Sequence, residues 1–449
     1  MDRPKSPPHI KLTNALSETF GLSSLVATTV ILFVVAICAS ATVWFVRSIP
    51  PREITLASGR TGSSFQRYAE NYKRILATHG VKLVVLPSSG SEDNLKLLQQ
   101  PNSGVDIAFV QTGQSKADDS NELVSLGSIA YQPLWVFYKN SKRITLLSEL
   151  AGKRIAIGTI GSGTHTLALN ILHANGIDSA PTSLLDLDAE SAAAGLIEGK
   201  VDAVFLMGDS ASIQTTRNLV RTTEIHIFSF TQADAYTRKF NYLNRLNLPE
   251  GSIDLGQDLP SRDVTLLGPT VDLIARQSLN PAISDLLLEV AQEVHGKAGL
   301  LQKAGEFPAP LEHGIRISED AQRFYKSGKG FLYRTIGSFW LASIVNRIVV
   351  TFLPVAILIV PAVRFFPIVY KWRIQLRFYY YYRRLLEVEQ EASKPLTRER
   401  ESDLLTRLRE IEEAVNRLKV PAAIADQFYA LRGHIVFVRE RMLSSGNMG

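Results

Sequence analysis

The chain of 449 residues holds a single cysteine, Cys38. No internal disulfide can form, so every folded part must rest on a packed core. Short signatures of several enzyme classes are also missing. There is no His-Glu-x-x-His or paired-cysteine metal motif, and the glycine spacing does not match the dinucleotide fingerprint. Gly161-Ser162-Gly163-Thr164 lacks the P-loop lysine. Ser162 and His165 are close in sequence, but no nucleophile elbow surrounds them. These absences argue against an enzyme and against a bound metal or cofactor.

Charge is missing in one place where it matters. Leu22 to Val46 contains no Asp, Glu, Lys or Arg. As a helix this run would be roughly 37 Å long, enough to cross a hydrocarbon core of about 30 Å. Arg3, Lys5 and Lys11 precede it, which by the positive-inside rule puts residues 1–21 in the cytoplasm. The expected span is 22–46. A cleaved signal peptide is the alternative, because Ala39-Ser40-Ala41 fits a small-residue cleavage site, yet the apolar run continues past it. Ile37 before Cys38 stands where a lipobox needs a small residue, so Cys38 is not read as a lipidation site.

A second apolar stretch is interrupted by Asn346 and Arg347. A central arginine is costly in lipid, so Arg347 is placed at an interface. The expectation is an interfacial helix over 334–347, with Phe339 and Trp340 at headgroup level, and a span over 348–370. Pro354 and Pro361 imply a bend there, and Arg364 can snorkel to the inner interface. Lys371, Arg373, Arg377, Arg383 and Arg384 follow and point to the cytoplasm. Residues 52–333 are then an external domain, and both termini are inside the inner (plasma) membrane. The net charge of +6 is accounted for by these topological clusters, so nucleic acid is not a partner.

Inside 52–333, apolar runs alternate with helical patterns, which argues for α/β architecture. Expected strands are 54–58, 82–87, 105–110, 154–158, 201–206 and 225–228. Expected helices are 64–78, 91–100, 164–174, 189–198 and 210–219. A weak repeat is visible. Ser103-Gly104-Val105-Asp106 and Gly199-Lys200-Val201-Asp202 each leave a helix, turn at glycine and enter a buried strand through an aspartate. Two similar lobes with a cleft between them follow, the second at about 142–250. Asp106 and Asp202 are expected to satisfy turn amides.

Three loops carry the functional reading: Ser58 to Ser64, Ser88 to Asn94, and Gly158 to His165. Each follows an expected strand and opens a helix. Free helix amides joined by hydroxyls make an anion site, and in an open α/β sheet such loops lie where ligands bind. Arg60 could hold a carboxylate bidentately, or be a solvated loop arginine.

At these residues the chain resembles the TAXI family of solute-binding subunits of TRAP transporters. The matching pieces are Ile54 to Gly62 with Phe65, Pro87 to Leu95 running into Val105 to Gln111, Leu150-Ala151-Gly152-Lys153-Arg154 followed by Gly158 to Thr164, and Gly199 to Phe205. They cover about residues 52–305, and the stretch 331–373 resembles a membrane anchor found on some members. The resemblance implies a two-lobed type II periplasmic binding protein fold, here flanked by two transmembrane helices and followed by a helical cytoplasmic tail. It implies a carboxylate-bearing cargo, an organic acid or amino acid such as glutamate or 2-oxoglutarate, and a separate TRAP permease as partner. By position, Gly62, Ser63, Ser89, Gly90, Ser91, Ser162, Gly163 and Thr164 would contact the ligand, with Gln111 at a strand end and Asp209 and Ser210 as weaker candidates. The chain departs from the family at Phe65, where tyrosine is usual, and at Glu92-Asp93, where a Val-Glu pair is usual.

The tail, 371–449, reads as helices: one through Glu391 to a break at Pro395, one with Leu404, Leu408, Ile411, Val415 and Leu418 at helical spacing, and one from Pro421 with Ile424, Phe428, Leu431 and Ile435 on one face. They can pack as a small bundle. The double anchor and the tail leave a second function open, a membrane-anchored ligand sensor.

Overall fold

The computed structural model describes residues 24–114, 122–178, 180–328, 333, 335, 336, 338–394, 398–418 and 425–445. The expected cytoplasmic segment 1–21 lies outside them, as do Pro395, Lys419, Pro421 and Ile424. The chain divides into two compact units, Ser48–Asn346 and Met1–Arg47 with Arg347–Gly449.

After the apolar helix α1 (Ser24–Arg47), the first unit opens with β1 (Glu53–Ala57), α2 (Ser64–Thr78), β2 (Lys82–Leu86), α3 (Ser91–Gln99) and β3 (Ile107–Gln111). α2 begins where Ser63 accepts from the Gln66 N–H at 3.2 Å, while the Gln66 side chain accepts from the Gly62 N–H at 2.5 Å. Ser63 is the N-cap, and the Gln66 side chain ties the residue before it to the first turn. Phe65, Ala69, Tyr72, Ile75 and Leu76 form its buried stripe, and the rings of Phe65 and Tyr72 sit against Phe109 of β3.

β4 (Leu123–Tyr131) leads into β5 (Trp135–Tyr138), β6 (Arg154–Ala156), α4 (Gly163–Ala174), β7 (Ser183–Leu185), α5 (Ala189–Ile197), β8 (Ala203–Leu206), α6 (Ile213–Arg221), β9 (His226–Ile227), α7 (Ala233–Lys239) and β10 (Leu243–Leu248). The long β11 (Val264–Arg276) returns, followed by α8 (Pro281–His295) and α9 (Glu319–Ser327). One sheet runs β10-β11-β3-β1-β2 with β4 on β11, and the other runs β7-β6-β8-β5-β9. In each, the β-α-β strands pair in parallel, β1 with β2 and β3, and β6 with β7 and β8.

Two strands cross between the lobes. β11 pairs with β10 through Pro269 and with β3 and β4 from Thr270 onward. The β4–β5 connection runs beside it, with the Gln132 N–H donating to Pro269 O at 2.9 Å and the Leu134 N–H to Leu267 O at 2.8 Å. The crossing is tight: a Cβ on Gly268 would lie 2.4 Å from the Gln132 carbonyl oxygen, so only glycine fits. Besides residues of the expected second lobe, about 142–250, the same cores take in Trp135 and Phe137 before it and Val264, Leu266 and Leu267 after it.

The internal repeat has a structural counterpart. Asp106 accepts from the Thr55 N–H of β1 at 2.8 Å, and Asp202 accepts from the Arg154 N–H of β6 at 2.8 Å. In return the Asp106 and Asp202 N–H groups donate to the Thr55 and Arg154 carbonyls. Both aspartates therefore pin a neighbouring parallel strand rather than a turn, which corrects the expectation. The Arg154 guanidinium also holds the Asp202 carboxyl below its usual range.

α10 (Phe339–Ala392) is one unbroken helix of 54 residues, so no helix end falls at the expected division after Arg347. Its window Phe339–Leu358 is, among the described residues, the one helix long and apolar enough to cross a membrane, and Ile31–Arg47 is a shorter apolar helix. The expected pair of spans thus has one qualifying helix. Phe339 and Trp340 pack against the core of the first lobe, because the indole lies beside Gly80, where a Cβ would stand 2.8 Å from its Nε1. α11 (Arg398–Asn416) and α12 (Ala425–Ser445) complete a bundle with the end of α10. Leu385, Val388, Leu404, Leu408, Ile411, Val415, Leu431 and Ile435 form its core, as the helical spacing of the tail indicates.

Candidate functional site

The loops singled out in the sequence converge between the lobes. The Asn94 side chain is buried and donates to the carbonyls of Ser58 at 2.5 Å and Phe109 at 2.8 Å, and its Oδ1 accepts from Ser88 at 2.6 Å. It thereby locks the first two loops and the end of β3 together. Gly90 is the N-cap residue of α3 at φ 138°, with no side-chain cap. The hydroxyl of Ser91, the first residue of α3, accepts from the Gln111 N–H at 3.2 Å. In the third loop Ser162 caps α4 by accepting from the His165 N–H at 3.1 Å, and donates to Thr159 O at 2.7 Å. The His165 ring turns to Asp186 at 3.1 Å. Ser162 and His165 are therefore not a nucleophile and its base.

Direct bonds join the lobes across this surface. The Ser64 N–H donates to Gly208 O at 2.9 Å, and the Asp93 N–H to Gly161 O at 3.1 Å. Thr166 donates to Glu92 Oε2 at 3.0 Å. Lys96 at 2.6 Å, and then Thr166, hold the Glu92 carboxyl below its usual range.

At the centre is Asp209, fully buried in the loop after β8. Its carboxylate accepts from the Gly163 N–H at 2.6 Å, the Thr164 hydroxyl at 2.8 Å and the Ser210 hydroxyl at 3.2 Å. Burial pushes this carboxyl above its usual range, and the hydrogen bonds from Thr164, Gly163 and Ser210, with the Ser91 N–H, offset this only in part. Gln111, 1% exposed, lies against the same place with both amide atoms unpartnered.

Arg60 stands apart. It is close enough to Asp188, in the other lobe, to help lower that carboxyl, whose main partner is the Ser191 N–H it caps. Gly62 is exposed and Ser63 is committed to its helix cap. The structure thus brings Ser91, Gln111, Gly163 and Thr164 around Asp209, sets Ser89, Gly90 and Ser162 beside them, and leaves Arg60 and Gly62 outside that cluster.

A cavity of about 490 Å³ opens alongside, sharing Ser64 and Gly208 with the closed loops. Tyr68, Gln132, Trp135, Arg217 and His295 help to line it. The Gln132 amide satisfies both ends when its oxygen faces the N–H groups of Gly208 and Asp209. His295 is 4% exposed, its Nε2 has no partner, and burial lowers its pKa to about 3. It is a neutral imidazole at physiological pH, packed edge-on to Tyr68. Nothing in the local sequence marks His295, Gln132 or Tyr68, because they come together only through the crossing strands. Among the described residues no cluster of His, Cys, Asp or Glu could hold a metal ion.

No curated protein matches the chain. Solved structures similar to it include the periplasmic aliphatic sulphonate binding protein SsuA from Escherichia coli, at 13% identity, covering 55% of this chain and 69% of that one with a TM-score of 0.37. An ancestral arginine-binding protein bound to arginine is similar at 14% identity over 55% and 93%, with a TM-score of 0.36. The alkanesulfonate-binding protein SsuA from Xanthomonas axonopodis pv. citri bound to MOPS is similar at 15% identity over 56% and 81%, with a TM-score of 0.34. Residues 56–279 match the NMT1-like family. This stretch of the chain is similar to that family, and it holds the two crossover-linked α/β lobes.

Proposed function

We propose that the chain is a membrane-anchored, extracytoplasmic receptor that captures a small organic acid or amino acid by closure of its lobes. The observation that carries this reading is the cavity of about 490 Å³ between two lobes joined by paired crossing strands. That volume is in the range of small-molecule sites. Arg67, Arg217 and Lys297 on its lining favour an acid-bearing solute, and Tyr68 and Trp135 supply flat apolar surface. The Gly- and Ser-rich loops act as the closing surfaces. Gln111, an expected contact, is buried with both side-chain polar atoms free, beside the Asp209 loop and not on the lining of this cavity. Delivery to a TRAP-type permease is supported by the sequence resemblance alone. The likenesses among solved structures include sulphonate- and arginine-binding proteins, which leaves other transporter classes open.

A second reading is a membrane-anchored ligand sensor. Its support is α10, which runs without a break from the apolar window into the helical tail.

Thermal unfolding of the purified chain against a panel of organic acids, amino acids and sulphonates tests the receptor reading. A true ligand at 100 times its Kd adds about 2.7 kcal/mol of stability. A panel without a saturable shift sinks it.

A further inference from the structure

We propose that Asp209 is the specificity-determining residue of the interlobe cleft: its carboxylate fills the anion cradle made by two helix starts and bars a solute's acid group from that place. This rests on the receptor reading and names the residue that decides where an acid can sit.

The cradle has one half in each lobe. α3 begins at Ser91 and α4 at Gly163, and the first N–H groups of a helix lack partners within the helix and carry partial positive charge. Sequence logic aims such groups at a ligand. Here they meet the chain's own carboxylate. Asp209 takes the Gly163 N–H at 2.6 Å, the Thr164 hydroxyl at 2.8 Å and the Ser210 hydroxyl at 3.2 Å. On the α3 side the carboxylate lies against the helix start, where a Cβ on Gly90 would meet Oδ2 at 2.6 Å, and the Ser91 N–H helps to lower its pKa. An ionised carboxylate offers about four lone-pair sites, so none is left for a solute ammonium. A solute carboxylate would find the donors taken and a like charge in contact.

The surroundings are shaped to this side chain. Asp209 has no exposed surface. A Cβ on Gly90 would lie 2.6 Å from Asp209 Oδ2, and one on Gly163 would lie 3.1 Å from it. Gln111 is the independent observation. It is buried to 1% exposure with Oε1 and Nε2 both unpartnered, and its Oε1 lies 2.0 Å from where a Gly163 Cβ would be. Its amide therefore rests on the same helix start without bonding the carboxylate. Removing that carboxylate would expose the Gly163 N–H, the Thr164 and Ser210 hydroxyls and the Gln111 amide to a hole the size of a formate ion. The acid of a natural solute is directed instead to the cavity beside it, where Arg67, Arg217 and Lys297 stand.

Formate rescue of Asp209→Ala tests this. The full chain in detergent is unfolded thermally in sodium formate and in sodium chloride at equal ionic strength. The variant should melt below wild type in chloride and recover saturably in formate, while wild type melts alike in both. A variant without a formate response, or a wild type that gains as much, overturns the proposal. Asp209→Asn covers the case in which the alanine variant does not fold. It keeps the shape, loses the charge, and should melt below wild type and ignore formate. An asparagine variant as stable as wild type also overturns the proposal. No natural solute enters this experiment, so its failure leaves the receptor reading standing, and only the solute panel decides that.

Discussion

The Ser64 N–H donates to the Gly208 carbonyl at 2.9 Å, joining the first turn of α2 in one lobe to the loop after β8 in the other. Gly208 accepts this bond, and its own N–H, with that of Asp209, is satisfied when the Gln132 amide oxygen is turned to them. Gln132 in turn lies on the β4–β5 connection, its N–H donating to Pro269 O. A continuous polar path therefore runs from the crossing strands to the closing loops. Movement of the lobes about the crossing has to break or remake the Ser64, Asp93 and Thr166 bonds together, because all three join the same pair of surfaces.

Gly90 allows that closure. Its φ of 138° is strained for any residue with a side chain, and a Cβ there meets Asp209 Oδ2 at 2.6 Å and the Ser162 Cα at 3.1 Å. Gly90→Ala should cost about 1–3 kcal/mol in urea unfolding, from backbone strain alone. Small-angle scattering should show the lobes further apart. A variant as stable and as closed as wild type would mean that Gly90 is only a turn residue.

Asp272 sets a pH dependence. It is buried on β11, accepts from Ser128 at 2.5 Å, and burial raises its pKa to about 7. Below the range of an unfolded carboxyl, about 4, its contribution to stability is fully present. As pH rises the unfolded state ionises first, so the contribution is lost until pH passes about 7. The slope is at most about 1.4 kcal/mol per pH unit. Asp272→Asn removes it. Asp285, raised to about 6, and His295, lowered to about 3, titrate in both proteins and cancel in the difference. The difference in unfolding free energy, wild type minus variant, should therefore fall between about pH 4 and 7. A flat difference rejects the assignment.

The parallel β-α-β cores were legible in the sequence because each strand is a short apolar run closed by a turn and followed by an amphipathic helix. α2 was read to the residue, since Ser63 and Gln66 carry a cap and Phe65, Ala69 and Tyr72 a helical stripe. β4 and β11 were not read. β4 is buried along nearly its whole length and β11 is interrupted by Gly268 and Pro269, so neither shows the alternation of a half-buried strand. Missing them meant missing the cavity, whose lining residues meet only through that crossing. At the proposed site, the glycines and hydroxyls of the loops stand out in the sequence, whereas Asp209 is only a weaker candidate there. An internal carboxylate 45 residues from Thr164 leaves no periodic signal of its own.

Topology can be read by labelling. Glu250 and Glu410 are exposed, one in each unit. In intact cells or right-side-out vesicles, an impermeant maleimide should label Glu250→Cys directly and Glu410→Cys only after permeabilisation. The background, Cys38→Ser, removes the single native thiol. Labelling of Glu250→Cys only after permeabilisation would reverse the orientation drawn from the basic clusters.

Gly163 and Gln111 should be energetically coupled. Gly163 is the first residue of α4, where alanine is ordinarily the better helix former. Here a Cβ would lie 2.0 Å from Gln111 Oε1 and 2.6 Å from its Cδ. Gly163→Ala should therefore destabilise the chain by about 1–3 kcal/mol, the usual range for overpacking. Gln111→Ala removes the obstructing amide together with two unsatisfied buried atoms, so alone it should be close to neutral. Combined, the two changes should recover most of the loss, giving a coupling energy of at least about 1 kcal/mol in a double-mutant cycle. Additive effects would show that the Gln111 side chain can leave Gly163 freely. It would then be a mobile group in the cleft rather than a fixed wall of the Asp209 cradle.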